Sequence, residues 1–191
     1  MNSGARTNQV CLLLGSNLSP ERNLPRATSL LRRYVEVAHA SLVWETPAVG
    51  SPGPNFLNAA LLVRTPLEAE QLKDRVLSRI EAHLGRRRTD DKYASLPIDI
   101  DIVAWNCTVT DADIWRFAHI AVPVSEVLPC NIRSDQGETL AQVAKRLMQT
   151  TPIRLCGELS PASLHYGELS AQNPRLAGSD VDCQAKARSN I

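Results

Sequence analysis

Neither sign of charge prevails in this chain: 21 lysines and arginines face 20 aspartates and glutamates, for a formal net charge of +1. That balance argues against a partner gripped by bulk electrostatics, whether nucleic acid or an anionic membrane surface, and leaves room only for local patches. Cysteine is sparse and unpatterned. The five thiols (Cys11, Cys107, Cys130, Cys156, Cys183) are odd in number and contain no Cys-x-x-Cys pair. No thiolate metal framework is therefore expected, and a reducing, cytoplasmic setting is. No apolar run approaches the roughly 20 residues of a membrane span, and the amino-terminal stretch lacks the apolar core of a secretory signal. Repeats are missing as well. The tetrapeptide Gly-Glu-Leu-Ser occurs at 157–160 and again at 167–170, which is too few copies for a repeat architecture.

What remains is a chain of 191 residues with a hydrophobic fraction of 43%, enough for one domain with a buried core and about 40 residues to spare. Its most informative stretch is Leu96-Pro97-Ile98-Asp99-Ile100-Asp101-Ile102-Val103. β-Branched residues alternate there with two acids, the two-residue period of a strand with unlike faces. Ile98, Ile100 and Ile102 point toward a core. Asp99 and Asp101 point the other way, about 6.6 Å apart along the strand. Two like charges that close call for a cation between them, and a hard divalent ion beside phosphates is a usual answer. A solvated outer face is the alternative.

Along the chain, Val10–Leu14 reads as a buried strand ended by Gly15-Ser16-Asn17. Ser19-Pro20 reads as a helix N-cap with proline at the first helical position. Leu24, Ala27, Leu31 and Tyr34 supply the apolar face of that helix. Val35–Val43 is a second strand, and the proline- and glycine-rich 46–54 is a loop. Phe56–Arg64 is a third strand. Thr65-Pro66-Leu67-Glu68 has the form of a capping box that opens a helix buried through Leu72, Val76, Ile80 and Leu84 and stopped by Gly85. With the acidic strand the order is β-α-β-β-α-β, an α+β, ferredoxin-like arrangement: an antiparallel sheet with helices packed on it. One more helix is expected near Leu140–Met148. The domain is expected over 8–150. From 151 to 191 hydrophobic periodicity fades, and a disordered tail is expected.

The blocks Gly15-Ser16-Asn17-Leu18, Glu45-Thr46-Pro47, Phe56-Leu57-Asn58-Ala59, Ile80-Glu81, Gly85-Arg86-Arg87-Arg88, Asp99-Ile100-Asp101 and Pro123-Val124-Ser125-Glu126-Val127-Leu128-Pro129 follow one another in this order. Together they make the chain resemble the hydroxymethyldihydropterin pyrophosphokinase family, over about residues 10–148. The resemblance implies transfer of a pyrophosphoryl group from ATP to the 6-hydroxymethyl group of a reduced pterin, with release of AMP. It also implies two magnesium ions held by Asp99 and Asp101. Arg86 and Arg88 would neutralise phosphate oxygens, and Tyr93 and His119 would lie beside the nucleotide. Phe56 would stack on the pterin, Asn58 would read its amide edge as donor and acceptor, and the backbone of Thr46, Pro47, Ala48 and Val49 would complete recognition.

The chain departs from the family pattern in two places. Leu96-Pro97 stands where the family carries arginine and threonine. The segment from His119 to Pro123 is short, holds neither arginine nor aromatic, and is preceded by Ala118. Arg87 and Arg116 are the nearest cations that could compensate. These departures keep two alternatives open: a paralogue that binds pterin or nucleotide without turnover, and a pyrophosphokinase for a modified pterin.

Overall fold

Both neighbours of the first strand come from far down the chain, and this makes it the centre of the sheet. In the computed structural model, which describes residues 7–49, 53–87, 95–129 and 131–159, the chain order opens with β1 (Asn8–Ser16), α1 (Pro20–Leu31), β2 (Glu36–Ala40), β3 (Leu42–Thr46) and β4 (Phe56–Thr65). A helix in three parts follows: α2 (Ala69–Leu72), a π-helical turn (Lys73–Leu77) and α3 (Ser78–His83). Then come β5 (Asp99–Trp105), β6 (Thr108–Val109), a 3-10 turn (Ala112–Trp115), α4 (Ala118–Val127), α5 (Leu140–Thr150) and β7 (Arg154–Glu158).

The strands lie in the order β6-β5-β1-β4-β3-β7, with β2 also paired to β4. Each of the pairings is antiparallel. Since β2 and β3 occupy successive parts of β4, the inner order is that of the split βαβ unit. The ferredoxin-like arrangement expected from the sequence is the one found.

β1 is apolar on both faces because both are covered. Val10, Leu12 and Leu14 have no exposed surface and pack with Leu24, Ala27 and Leu31 of α1, and with Leu72, Val76, Ile80 and Leu84 of the long helix. Cys11 and Leu13, on the opposite face, pack with α4 and α5 through Ile120, Val124, Val143 and Leu147. Full burial of each such leucine is worth about 1.5–3 kcal/mol. Burial pushes the Cys11 thiol up to about 12, so it behaves as a small core hydrophobe. Ile98 and Ile100 join the first cluster with Ile102 at its margin, as the alternation of the acidic strand requires.

Several local expectations change. Ser19 precedes α1 in a left-handed conformation (φ 48°) and makes no side-chain cap. Its carbonyl instead accepts from Asn23 N at 3.0 Å, while Asn23 Nδ2 donates to Leu18 O at 2.7 Å. Tyr34 is 56% exposed and lies outside the helix. The capping box sits three residues later than Thr65, formed by Glu68 and Gln71; Thr65 Oγ1 accepts from Leu67 N within the turn that precedes it. The second strand is two strands, broken where Ser41 Oγ accepts from Ala60 N at 2.8 Å. α4 was not expected as a helix: it is buried nearly all round and contains Pro123, so it shows no 3.6-residue contrast. Arg154–Glu158, placed in the tail by its polar sequence, adds a strand to β3; residues 160–191 lie outside the described residues. Cys107 is disulfide-bonded, a pairing that chain spacing does not announce, while Cys11 is a free thiol.

Candidate functional site

Cross-strand register builds the floor of a pocket. Gly15 on β1 is paired with Asp99 of β5 on one side and with Asn58 of β4 on the other. Asn58 is in turn paired with Trp44 of β3, and Leu13 is paired with Asp101. Directly paired residues share a face, so one carboxylate, that of Asp99, and the Asn58 carboxamide stand on either side of a glycine in one row, with Asp101 in the next. A Cβ on Gly15 would come 3.3 Å from Asn58 Oδ1 and 3.9 Å from Phe56 Cδ1. The missing side chain is what leaves that row open.

The pocket over this row has a volume of about 210 Å³. Thr46, Pro47, Val49, Phe56 and Asn58 line it from the β3–β4 side, and Asp99, Asp101 and His119 from the other, with Leu13, Gly15 and Leu96 completing the wall. Of the residues proposed from sequence, eight therefore converge on one cavity. Ala48 is not among its lining residues. Arg88 and Tyr93 lie outside the described residues. Asn58 Nδ2 is committed to Thr46 Oγ1 at 3.0 Å and to Trp44 O at 3.4 Å, so the carboxamide faces Gly15 with its oxygen rather than as both donor and acceptor.

The Gly-Ser-Asn turn after β1 holds the cavity's walls together. Asn17 Oδ1 accepts from Leu96 N at 2.6 Å, and Asn17 N donates to Leu96 O at 3.1 Å. Ser16 Oγ donates to Pro97 O at 2.6 Å. These bonds fix Leu96 at the lip of the acidic strand, where its side chain forms part of the wall.

Asp99 and Asp101 lie beyond the reach of β6, which pairs only with Ala104 and Trp105. The sheet edge here is closed by a side chain: Glu81 Oε1 accepts from Ile100 N at 2.8 Å and from Arg86 Nη1 at 2.5 Å. The same guanidinium also pairs with Asp99. The end of α3 explains why Arg86 is there. Gly85 takes φ +93°, its N–H donates to Ala82 O at 3.1 Å, and Arg86 N donates to Glu81 O at 2.9 Å, a Schellman closure that folds Arg86 back over the acidic edge.

The charges respond to this crowding. Partial desolvation pushes Asp101 up to about 6, with the Asp99 carboxylate adding to the shift, although the side chain reaches the surface. Burial raises Glu81, partly opposed by the Ile100 N–H and Arg86. Burial alone would lower Arg86, but Asp99 and Glu81 outweigh it and hold it firmly charged. Burial lowers His119, against the pull of Asp113 and Asp111, and its ring centroid lies 5.5 Å from that of Phe117. Arg116 is exposed, paired with Asp113 at 3.2 Å and lying over Phe117. Arg87 is exposed.

A second cavity of about 290 Å³ adjoins the first across Asp101, lined by Lys73, Leu77, Ser78, Glu81 and Arg86 among others. The π-helical turn, a feature frequent at functional sites, supplies part of that wall. Lys73 and Ser78 had no signal in the sequence pattern. Glu81 and Gly15 appeared only as parts of motifs, and Leu13 only as part of the apolar run of β1. Among the described residues no group of three or more His, Cys, Asp or Glu is placed to hold a metal. The Asp99–Asp101 pair nevertheless fits a hard divalent ion that takes its remaining ligands from water and phosphate, because Arg86 pairs directly with Asp99 alone and only partly offsets the crowding at Asp101.

Fold and pocket together define a ferredoxin-like α+β domain with an acid pair and a carboxamide set across one open floor. The model of the 7,8-dihydro-6-hydroxymethylpterin-pyrophosphokinase (HPPK) family matches residues 11–129, and the chain belongs to that family. It is 30% identical over 131 residues to a folate synthesis bifunctional protein of Arabidopsis thaliana, covering 63% of this chain and 27% of that protein. It is 25% identical over 165 residues to a 2-amino-4-hydroxy-6-hydroxymethyldihydropteridine pyrophosphokinase of Synechocystis sp., covering 78% of this chain and 84% of the relative. The fold is similar to that of Plasmodium falciparum HPPK-DHPS crystallised with pteroate (TM-score 0.57, 12% identity), with 75% of this chain and 43% of that one covered. The chain thus spans about a quarter of the Arabidopsis protein and under half of the Plasmodium chain. No helix among the described residues is long and apolar enough to cross a membrane.

Proposed function

We propose that this chain transfers a pyrophosphoryl group from ATP to the hydroxymethyl group of 6-hydroxymethyl-7,8-dihydropterin, releasing AMP, as a step of folate synthesis. The observation that carries the reading is the row Asp99–Gly15–Asn58, which, with Asp101 opposite Leu13 in the next row, sets an acid pair and a carboxamide around one pocket. Family membership supports it.

The reaction needs no protein nucleophile. The pterin hydroxyl oxygen attacks the β-phosphorus, the bond from that phosphorus to the α,β-bridging oxygen breaks, AMP departs with that oxygen, and the hydroxyl proton goes to solvent. Catalysis is positioning and charge neutralisation. Phe56 stacks on the flat heterocycle, Asn58 Oδ1 accepts from its amino edge, and Thr46, Pro47 and Val49 close the rim. Asp99 and Asp101 would hold two magnesium ions, which would supply neutralising charge at the phosphates and at the acceptor hydroxyl. Arg86 stands at the boundary of the two cavities, where a guanidinium bridges to phosphate oxygens. Family resemblance would put Arg88 and Tyr93 beside the nucleotide, and His119 would meet it from the wall of the first cavity. Lys73 and Ser78 add a cation and a hydroxyl to the second cavity.

A binding-only role or a modified acceptor is favoured by one observation: Leu96 presents an apolar surface in the first cavity. Chromatography of the nucleotides separates the readings. AMP that forms only when both the pterin alcohol and magnesium are present supports pyrophosphoryl transfer. ATP left intact with that alcohol, but consumed with a 7-substituted analogue, assigns the modified acceptor. ATP intact with every acceptor leaves binding alone.

A further inference from the structure

The strand β7 lies beyond the last residue matched by the family model, residue 129, and its five residues are exposed. Burial therefore does not explain its place in the sheet. The strand is tethered at both ends, by Ile153 packed against the α4–α5 cluster and by Leu159, 5% exposed, in the cluster on the other face. Between these anchors it pairs with β3 and sets Arg154 directly opposite Glu45.

Glu45 stands at the base of the loop that rims the first cavity. It is the residue before Thr46, and Thr46 forms the last strand pair with Phe56. Its carboxylate is held from two sides. Asn55 Nδ2 donates to Oε1 at 3.0 Å across the mouth of the loop, and Arg154 Nε donates to Oε2 at 2.8 Å with Nη2 reinforcing the same oxygen. One carboxylate thus joins the outgoing end of the loop, the returning end and the added strand. The loop ends so joined carry Thr46, Pro47 and Phe56, all of which line the cavity.

We infer that Arg154 is a positioning residue: acting through Glu45, it fixes the loop ends that present Thr46, Pro47 and Phe56 to the acceptor. The identity of that acceptor rests on the function proposed above, but the brace itself does not. It predicts an effect confined to one of the two cavities, because Glu45, the carboxylate that Arg154 holds, stands at the ends of the loop that rims the first.

Amide hydrogen exchange on the full chain tests the brace without any ligand, with Arg154→Met and Arg154→Lys compared to wild type. Arg154→Met is expected to speed exchange in 46–49 and 53–57 about fivefold, the range of a well-formed exposed ion pair, with β1 and β5 unchanged. Arg154→Lys is expected to recover part of the protection. In turnover assays Arg154→Met then raises KM for the pterin alcohol by a similar factor and leaves KM for ATP and kcat in place. Unchanged exchange in the loop overturns the inference, and so does acceleration spread equally over β1 and β5, which marks a general loosening. If the wild type consumes no ATP with any pterin, the proposed function fails while the exchange result still decides the brace.

Discussion

The Arg86 guanidinium spans two carboxylates, pairing with Asp99 while it holds Glu81 Oε1 at 2.5 Å. In this arrangement the arginine does for Asp99 part of what a bound cation would do, and it stands where phosphate oxygens would arrive. Binding of a magnesium–triphosphate complex would let it exchange a carboxylate partner for a phosphate one. Arg86→Ala is expected to lower kcat by about 10²-fold, roughly 3 kcal/mol of transition-state stabilisation. Arg86→Lys should recover little, since a point charge does not reproduce the planar fork. Steady-state kinetics with saturating pterin decides it; a kcat within threefold of wild type for Arg86→Ala refutes the assignment.

Asp101 makes a prediction of opposite sign for stability and activity. Desolvation and the Asp99 charge both disfavour its ionised form, so at neutral pH the wild type carries repulsion along the acidic edge that Arg86 relieves only in part. Asp101→Asn removes one charge at nearly constant shape. Without magnesium the variant is expected to melt about 2–4 °C higher than wild type, a shift on the scale of a fraction of a kcal/mol to about 1 kcal/mol. With magnesium and a non-hydrolysable ATP analogue the wild type gains stability and the variant does not. Such a gain with loss of function is common where sites hold like charges together. A variant that melts lower without metal, or keeps the full magnesium shift, counts against the pair as a cation site.

Glu45 supplies a pH dependence away from the acidic edge. The hydrogen bond from Asn55, then that from Arg154, holds its carboxyl below the usual value of 4.5. A depressed folded-state pKa stabilises fully above the unfolded value and is lost as pH falls through the folded one. Wild type should therefore exceed Arg154→Gln by about 0.5–1 kcal/mol at neutral pH. That gap should close as the pH drops below the carboxylate range. Urea titrations across the acid limb measure it, and a gap that persists in strong acid assigns the difference to packing of the arginine stem instead.

Much of the fold was legible because its period is simple. The two-residue alternation at Ile98, Asp99, Ile100 and Asp101 gave the face of each residue, and Leu72, Val76, Ile80 and Leu84 marked one helical stripe that the structure buries. What escaped was set by tertiary context. α4 is enclosed on nearly all sides, so Ile120, Val122 and Val124 carry no amphipathic contrast. The cap at Glu68 prevailed over the one at Thr65 because Thr65 completes the register of β4 against Asn8. β7 has a loop-like sequence and is held by anchors that flank it, Ile153 and Leu159, and by an ion pair with a residue more than a hundred positions earlier. In the site, convergence of Thr46, Phe56, Asn58 and Asp99 followed from motifs. The role of Gly15 as the open centre follows only from knowing which strands flank β1.

Gly15 is for that reason the sharpest test of the pocket. It lies between Asp99 and Asn58 on the floor, and an added methyl would stand 3.3 Å from Asn58 Oδ1, close enough to force a shift in a side chain already committed to Thr46 and Trp44. The glycine is in a strand, where alanine is tolerated by the backbone, so the consequence is local crowding rather than unfolding. Gly15→Ala should melt within a few degrees of wild type, since the methyl projects into a cavity and not into the core. It should weaken the pterin alcohol about tenfold, equivalent to about 1.4 kcal/mol of lost complementarity, because the methyl competes for the space where the heterocycle meets Asn58. Affinity for magnesium–ATP, bound on the far side of Asp101, should stay within twofold. Titration calorimetry with each ligand separates these outcomes: equal loss for both would mean that the two cavities are not independent, and no loss for the pterin would place the acceptor elsewhere.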